Sequence, residues 1–189
     1  MKRAGLVAVI TFIAALGAVP AGPAAASTAA GVWTVSRSPK VRVVVASGCP
    51  ASLRAYQDVV NTFPGPPLVP PHPTAGIICR YGPATNTTTT ARLERRTRLG
   101  RVEAGTLSTV VRRLSLAPPT GTSSCPADFG IVALIGFSYP GRADVGLWYQ
   151  ASGCQTLDNG RIGSFEGGNP SFYNAFLNTI DRLSPPVGR

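Results

Sequence analysis

The stretch FGIVALIGFSYPGRADVGLWYQA, residues 129–151, decides the fold. Its first part places Phe129, Ile131, Ala133, Ile135 and Phe137 at alternate positions, and its second part does the same with Val145, Leu147, Tyr149 and Ala151. A period of two is the pleat of a β-strand. Tyr139-Pro140-Gly141-Arg142 between the two runs carries turn chemistry, so the stretch predicts an antiparallel hairpin. Loop length then selects the register. A two-residue Pro-Gly loop would set Phe137 beside Asp144 and split the apolar residues between the faces, whereas a three- or five-residue loop keeps them together. The longer loop is expected.

That register brings Cys125 and Cys154 to within about three positions of being opposite, just beyond the ends of the ladder, and so predicts a disulfide between them. Cys49 and Cys79 pair by exclusion. The four cysteines stand far apart in sequence, with no C-x-x-C spacing and no histidine nearby, so a zinc site is not expected.

Outward from the hairpin, Val41, Val43 and Val45 read as a first strand. Pro50 suits the first turn of a helix carrying Leu53, Tyr56, Val59, Val60 and Phe63, which Pro64 stops. Six prolines between Pro64 and Pro73 make a surface loop, with His72 inside it and no element to hold it. Residues 77–81 form a strand with Ile77, Cys79 and Tyr81 on one face and Ile78 and Arg80 on the other, and residues 92–99 return antiparallel to it. From Val102 the period becomes helical, with Ala104, Leu107, Val110, Val111 and Leu114 on one face as far as Pro118-Pro119. Beyond Cys154, Asp158-Asn159-Gly160 is a turn and residues 161–165 a short edge strand. Asn169-Pro170 starts an amphipathic helix with Phe172, Tyr173, Phe176, Leu177, Ile180 and Leu183 on its apolar stripe. The order of cysteine, two strands and a helix occurs twice, and it implies one α+β domain: an antiparallel sheet with helices packed on one face, stapled by two disulfides.

The N-terminus reads as a targeting segment. A basic start at Lys2-Arg3, an apolar run over residues 4–19 and the small residues up to Ala24-Ala25-Ala26 have the pattern of a secretory signal peptide, residues 1–26. A flexible leader over 27–39, a secreted domain over 40–183 and a disordered tail over 184–189 follow. No transmembrane segment is expected after cleavage. The chain has 18 Lys and Arg against 8 Asp and Glu, a net charge of +10. Removing Lys2 and Arg3 leaves 16 basic residues against 8 acidic and a net charge of +8. With 44% apolar residues the chain is no disordered polyelectrolyte.

Catalytic, cofactor and metal motifs are not expected: no Gly-x-Ser-x-Gly elbow, P-loop or His-Glu-x-x-His occurs, and the only histidine, His72, lacks acidic neighbours. The functional candidate is a basic cluster, Arg92, Arg95, Arg96, Arg98 and Arg101, extended by Arg112 and Arg113. If residues 92–99 alternate as a regular strand, Arg92, Arg96 and Arg98 share a face with Glu94 alone to offset them. Such a patch suits an anionic cell-wall polymer or anionic surface. Specific nucleic-acid recognition is not expected, because no aromatic residues interleave the arginines. Charges on an edge strand can equally serve only to block edge-to-edge pairing. The chain is thus expected to be a secreted, non-enzymatic binding or cell-envelope-associated module. A protease inhibitor or other module binding an extracellular protein through the Pro64–Pro73 loop is one alternative, and a small secreted hydrolase is another.

The 16 arginines against two lysines, Cys-Arg-Tyr at 79–81, Cys-Pro at 125–126 and Gly-Cys at 153–154 also carry a resemblance. Over residues 49–183 the chain resembles small secreted disulfide-bonded proteins of high-GC actinobacteria, whose functions are uncharacterised. The resemblance implies an exported, disulfide-bonded domain and transfers no catalytic residue.

Overall fold

The computed structural model describes residues 48–54, 66–84, 90–116, 125–160, 162–165 and 170–187, all within one unit that spans Val32–Arg189. The expected signal peptide, the leader, the strand at Val41–Val45 and the body of the helix expected up to Phe63 lie outside them. The elements in chain order are β1 (Ser52–Arg54), β2 (Ala75–Tyr81), β3 (Thr90–Leu99), α1 (Arg101–Val111), β4 (Val132–Ser138), β5 (Val145–Gln150), β6 (Thr156–Asp158), β7 (Gly163–Phe165) and α2 (Pro170–Leu183). The strands form one seven-stranded antiparallel sheet in the order β1-β3-β2-β4-β5-β6-β7.

The hairpin has the longer loop. Phe137 pairs with Val145, Ile135 with Leu147 and Ala133 with Tyr149, which keeps the two apolar sets on one face. Phe129 departs from the expectation: it precedes β4 and is 60% exposed, because the ladder begins at Val132. The opposite face of the hairpin is buried as well. Ala133, Ile135, Phe137, Leu147 and Tyr149 enter one core cluster, while Val132, Leu134 and Trp148 enter a second. β2 divides likewise, with Ile78 in the first cluster and Ile77, Cys79 and Tyr81 in the second. An apolar strand with both faces covered reads as a continuous run rather than a clean alternation, as in Val132–Phe137.

Both helices contribute to the first cluster, α1 through Ala104, Leu107 and Val111 and α2 through Tyr173, Phe176 and Ile180. Tyr149 meets Phe176 edge to face, with ring centroids 5.1 Å apart. Removing a side chain as large as Phe176 from such a site costs about 3–5 kcal/mol. α1 starts where Gly100, extended at ψ 178°, donates its N–H to Glu103 Oε2 at 2.6 Å. It ends at Val111, short of the expected Pro118-Pro119, as tighter turns form from Arg113 N–H to Val110 O and from Leu114 N–H to Val111 O. Ala104 can approach β2 because Gly76 faces it: a Cβ on Gly76 would lie 3.4 Å from that of Ala104 and 3.1 Å from Gly136 O.

Two features correct the sequence reading. Residues 52–54, expected in a helix starting at Pro50, form β1 and pair with Thr90–Arg92. Leu53 is buried beside Cys49 and Cys79, and the ladder to β3 satisfies the backbone that a first helical turn would have left open. The turn at Asp158-Asn159-Gly160 closes a hairpin whose first strand, β6, was not foreseen. Asp158 Oδ1 accepts the Gly160 N–H, Asn159 Oδ1 accepts the Ile162 N–H, and Gly160 takes the left-handed φ of 87° that the turn requires.

Cys49 and Cys79 pair with Cα atoms 5.6 Å apart, and Cys125 and Cys154 with Cα atoms 4.8 Å apart, both at disulfide distance. The two bridges close loops of similar length, with sequence separations of 30 and 29, so their chain-entropy terms are alike. Packing separates them, because Cys79 is fully buried and Cys125 is exposed. Replacing Cys125 and Cys154 together by Ala should lower stability by about 2–4 kcal/mol, and replacing Cys49 and Cys79 should lower it further; urea unfolding of the two double variants measures the difference.

Candidate functional site

β3 positions four of the five arginines. Arg96 stands opposite Cys79 and Arg98 opposite Ile77, on the side of the second cluster, whereas Arg95 stands opposite Arg80 on the other face. The register slips between Arg80, which pairs with Arg95, and Tyr81, which pairs with Leu93, so Glu94 is an extra residue in β3. A bulge of this kind inverts the alternation. Leu93 and Arg95 therefore face opposite ways although two residues apart. Arg92 pairs with Ser52, and its neighbour Ala91 faces the second cluster, so Arg92 is parted from Arg96 and Arg98, with which it was expected to share a face. Arg101 lies outside the strand, in the first turn of α1.

All five arginines are exposed. Among the described residues none of them forms an ion pair, and the pair present is Arg80 with Asp181. The Glu94 carboxylate lies against Gly82, where a methyl group would overlap it. Arg96 passes over Gly48, 3.9 Å from where a Cβ would stand there, beside Cys49. Beyond Arg92, β3 has no further strand on its outer side among the described residues, and within these Arg95, Arg96 and Arg98 line the edge of the sheet. Successive side chains on one face of a strand are about 7 Å apart.

Arg80 is the charged residue that the sequence reading did not single out. It is buried on the face of Ile78, where its Nε donates to Ser184 O at 2.9 Å and its Nη2 to Asp181 Oδ1 at 2.7 Å. Thr97 Oγ1 donates to Ser184 Oγ at 2.9 Å, so β2 and β3 both grip the end of α2. The signal was present in Ile78 and Arg80, two alternate positions of one strand, which place a cation on a core-facing side. On the opposite face Tyr81 donates to Pro50 O at 2.9 Å; burial raises its pKa strongly, and the charge of Arg96 only partly opposes this.

The proline-rich segment is better held than its composition implies. Pro70 O accepts Tyr139 OH at 2.9 Å and Ser108 Oγ at 3.2 Å, Leu68 O accepts Asn159 Nδ2 at 3.0 Å, and Leu68 and Val69 are buried. His72, expected to be loosely held, projects from this anchored segment with a left-handed φ of 60°. Such a φ costs energy in any residue but glycine. It shares a cavity of about 320 Å³ with Arg112, Thr106 and Thr109.

No protein-family model, curated protein or solved structure matches the chain. Its chemistry must therefore be judged from these groups alone. Ser152 Oγ, the hydroxyl most tightly coupled to an acid, donates to Asp128 Oδ1 at 2.5 Å and accepts the N–H groups of Phe129 and Ile131 at 3.1 Å each. Its bonds brace the entry to β4 beside the Cys125–Cys154 bridge rather than poise a nucleophile. Among the described residues no group of three or more His, Cys, Asp or Glu could hold a metal ion, and no helix is long and apolar enough to cross a membrane.

Two outcomes follow for the buried polar contacts. Asp181→Asn should leave the buried Arg80 charge uncompensated and destabilise the fold by about 1–3 kcal/mol, the half-exposed carboxylate keeping the loss below that of a fully buried pair; urea unfolding reads it. Burial pushes the Tyr139 hydroxyl up to about 12, against the opposing effects of its Ser108 hydrogen bond and the charges of Arg142 and Arg112. In the unfolded chain it titrates near about 10, so its share of the stability is complete below that pH and is lost between there and about 12. Tyr139→Phe should remove up to about 1.4 kcal/mol per pH unit from the alkaline decline in stability, measured by urea unfolding from about pH 9 upward.

Proposed function

We propose that the protein is a secreted, non-enzymatic binding module that engages an anionic polymer of the cell envelope through the edge formed by β3. The observation that carries this reading is the set of exposed arginines, Arg92, Arg95, Arg96, Arg98 and Arg101, none of them ion-paired among the described residues. An edge strand sends successive side chains to both sides of the sheet, so long guanidinium arms from either face can reach a chain lying along the edge. Arginine suits phosphate because its planar fork donates two parallel hydrogen bonds. Export fits the two disulfides and the basic, apolar, small-residue order of residues 1–26. The helices of the module are read as one layer on the face of Ile78, Ile135 and Tyr149, the cluster their buried residues enter.

A second reading, a module that binds an extracellular protein, rests on residues 66–74. Their apex exposes Pro71 and His72 on backbone tied to Tyr139, Ser108 and Asn159, and a pre-ordered loop loses little entropy on docking.

Teichoic acid should bind the mature protein at low salt, with an affinity that falls steeply as salt rises. Replacing Arg95, Arg96 and Arg98 together by Gln should weaken binding by about tenfold or more and flatten the salt slope by about 2 to 3. Binding that ignores salt, or that survives the triple replacement, removes the polymer reading.

A further inference from the structure

The cavity of about 320 Å³ beside His72 lies between α1 and the apex of the proline-rich segment. Two unfavourable backbone features meet on it. Gly105 interrupts the middle of α1, where only proline disfavours a helix more. No close approach demands the glycine, because a Cβ placed there would meet nothing within 4 Å. What the missing side chain does is leave the cavity open above the helix. His72, in turn, holds its left-handed φ of 60° although Pro73 follows it, and a residue before proline is driven to extended backbone. The preceding carbonyl, Pro70 O, is fixed by the Tyr139 and Ser108 hydroxyls, so the strained turn is anchored. Strain of this kind gathers where a residue must be held in place for a ligand, and the residue held at this cavity is the one histidine of the chain.

The hydrogen-bonding groups of the lining select the ligand. Thr106 Oγ1 donates to Val102 O and Thr109 Oγ1 to Gly105 O, both at 2.9 Å, and Ser108 Oγ donates to Pro70 O. Their protons are engaged, so the lining side chains with N–H groups to offer are Arg112 and His72. Arg112 forms no ion pair with a described residue, and no acidic side chain is among those that line the cavity. Two donor groups, one of them a planar fork, fit the two oxygens of a carboxylate and fall short of the three that a phosphate monoester presents. Both threonine oxygens can still accept a hydrogen bond. Arg112 caps the end of α1, where helix carbonyls oppose an anion, but Val110 O and Val111 O are taken there by the N–H groups of Arg113 and Leu114.

We propose that this cavity binds a carboxylate that carries an N–H or O–H donor on its α-carbon. Arg112 and His72 hold the carboxylate, a threonine Oγ1 accepts from the neighbouring donor, and the α-carbon lies over Gly105. The C-terminal residue of a peptide and a free 2-hydroxy acid share this chemistry. The site uses none of the β3 arginines and does not depend on polymer binding.

The test is a ¹H–¹⁵N NMR titration of the full chain with N-acetylglycine, with glycolate, and with three controls: N-acetylglycinamide without the charge, propionate without the donor, and methyl phosphate. N-acetylglycine, glycolate or both should give saturable shifts centred on His72, Gly105, Thr109 and Arg112, with N-acetylglycinamide at least about tenfold weaker and propionate about threefold weaker. Saturation by N-acetylglycine alone identifies a peptide terminus, and saturation by glycolate alone a free hydroxy acid. Arg112→Gln should weaken binding by about tenfold by removing the charge, and Gly105→Leu by about as much by filling the cavity; neither should lower the melting midpoint. His72→Gly, which accommodates the left-handed φ, should weaken binding by about threefold or more, again without lowering the midpoint. Absence of saturable shifts with both carboxylates, shifts elsewhere, equal binding of N-acetylglycinamide or propionate, tighter binding of methyl phosphate, or unchanged affinity in any of the three variants overturns the proposal. The triple replacement of Arg95, Arg96 and Arg98 by Gln should leave carboxylate binding intact, so its failure and that of polymer binding are separate outcomes.

Discussion

β4 is hydrogen-bonded on both edges, to β2 and β5, and buried on both faces from Val132 to Phe137. Every residue of the strand is therefore committed to one of two cores, and a slip of one position would exchange the two sets. Ile135 and Leu134 could trade places at little hydrophobic cost. Ala133 and Gly136 could not, because Gly136 pairs with Gly146 and its carbonyl lies near Gly76, the point where Ala104 of α1 comes down on the sheet. Small residues thus pin the register that the large ones alone leave open.

From this central strand the two halves of the chain take different routes to stability. The first half is closed by a bridge buried in the second cluster and by Arg80, whose guanidinium ties β2 to the end of α2. The second half is closed at its periphery, where Cys125–Cys154, Asp128 and Ser152 brace the open end of the hairpin, and Gly153 admits Asp128 with a left-handed φ of 69°. The expected repeat of hairpin and helix is interrupted in the second half, where β6 and β7 stand between β5 and α2, and the cysteines are not equivalent. Cys79 stands within β2, whereas Cys154 follows β5.

The hairpin register, the Cys125–Cys154 pairing and α2 were legible because each rests on a local rule: a period of two with a defined turn, proximity of ladder ends, and a proline at the first helical turn; Cys49–Cys79 followed from the second of these by exclusion. What escaped was decided by partners distant in sequence. Pro50 looks like a helix start until the ladder from β1 to β3 is known, since Leu53 can be buried from either conformation. His72 looks unsupported because its restraint comes from Tyr139 and Ser108, 69 and 38 residues from Pro70. The arginine faces were misassigned for a sharper reason. A single bulge at Glu94 inverts every side chain beyond it, and no composition rule marks a bulge formed around a glutamate.

That bulge also organises the surface chemistry. In a regular β3, Glu94 would stand among Arg92, Arg96 and Arg98 and lower their combined field at about 7 Å spacing. The extra residue instead sets the carboxylate against Gly82, on the side of Arg80 and Arg95 and away from Arg96 and Arg98. One irregularity thereby parts Glu94 from two arginines, Arg96 and Arg98, that a regular alternation would set beside it.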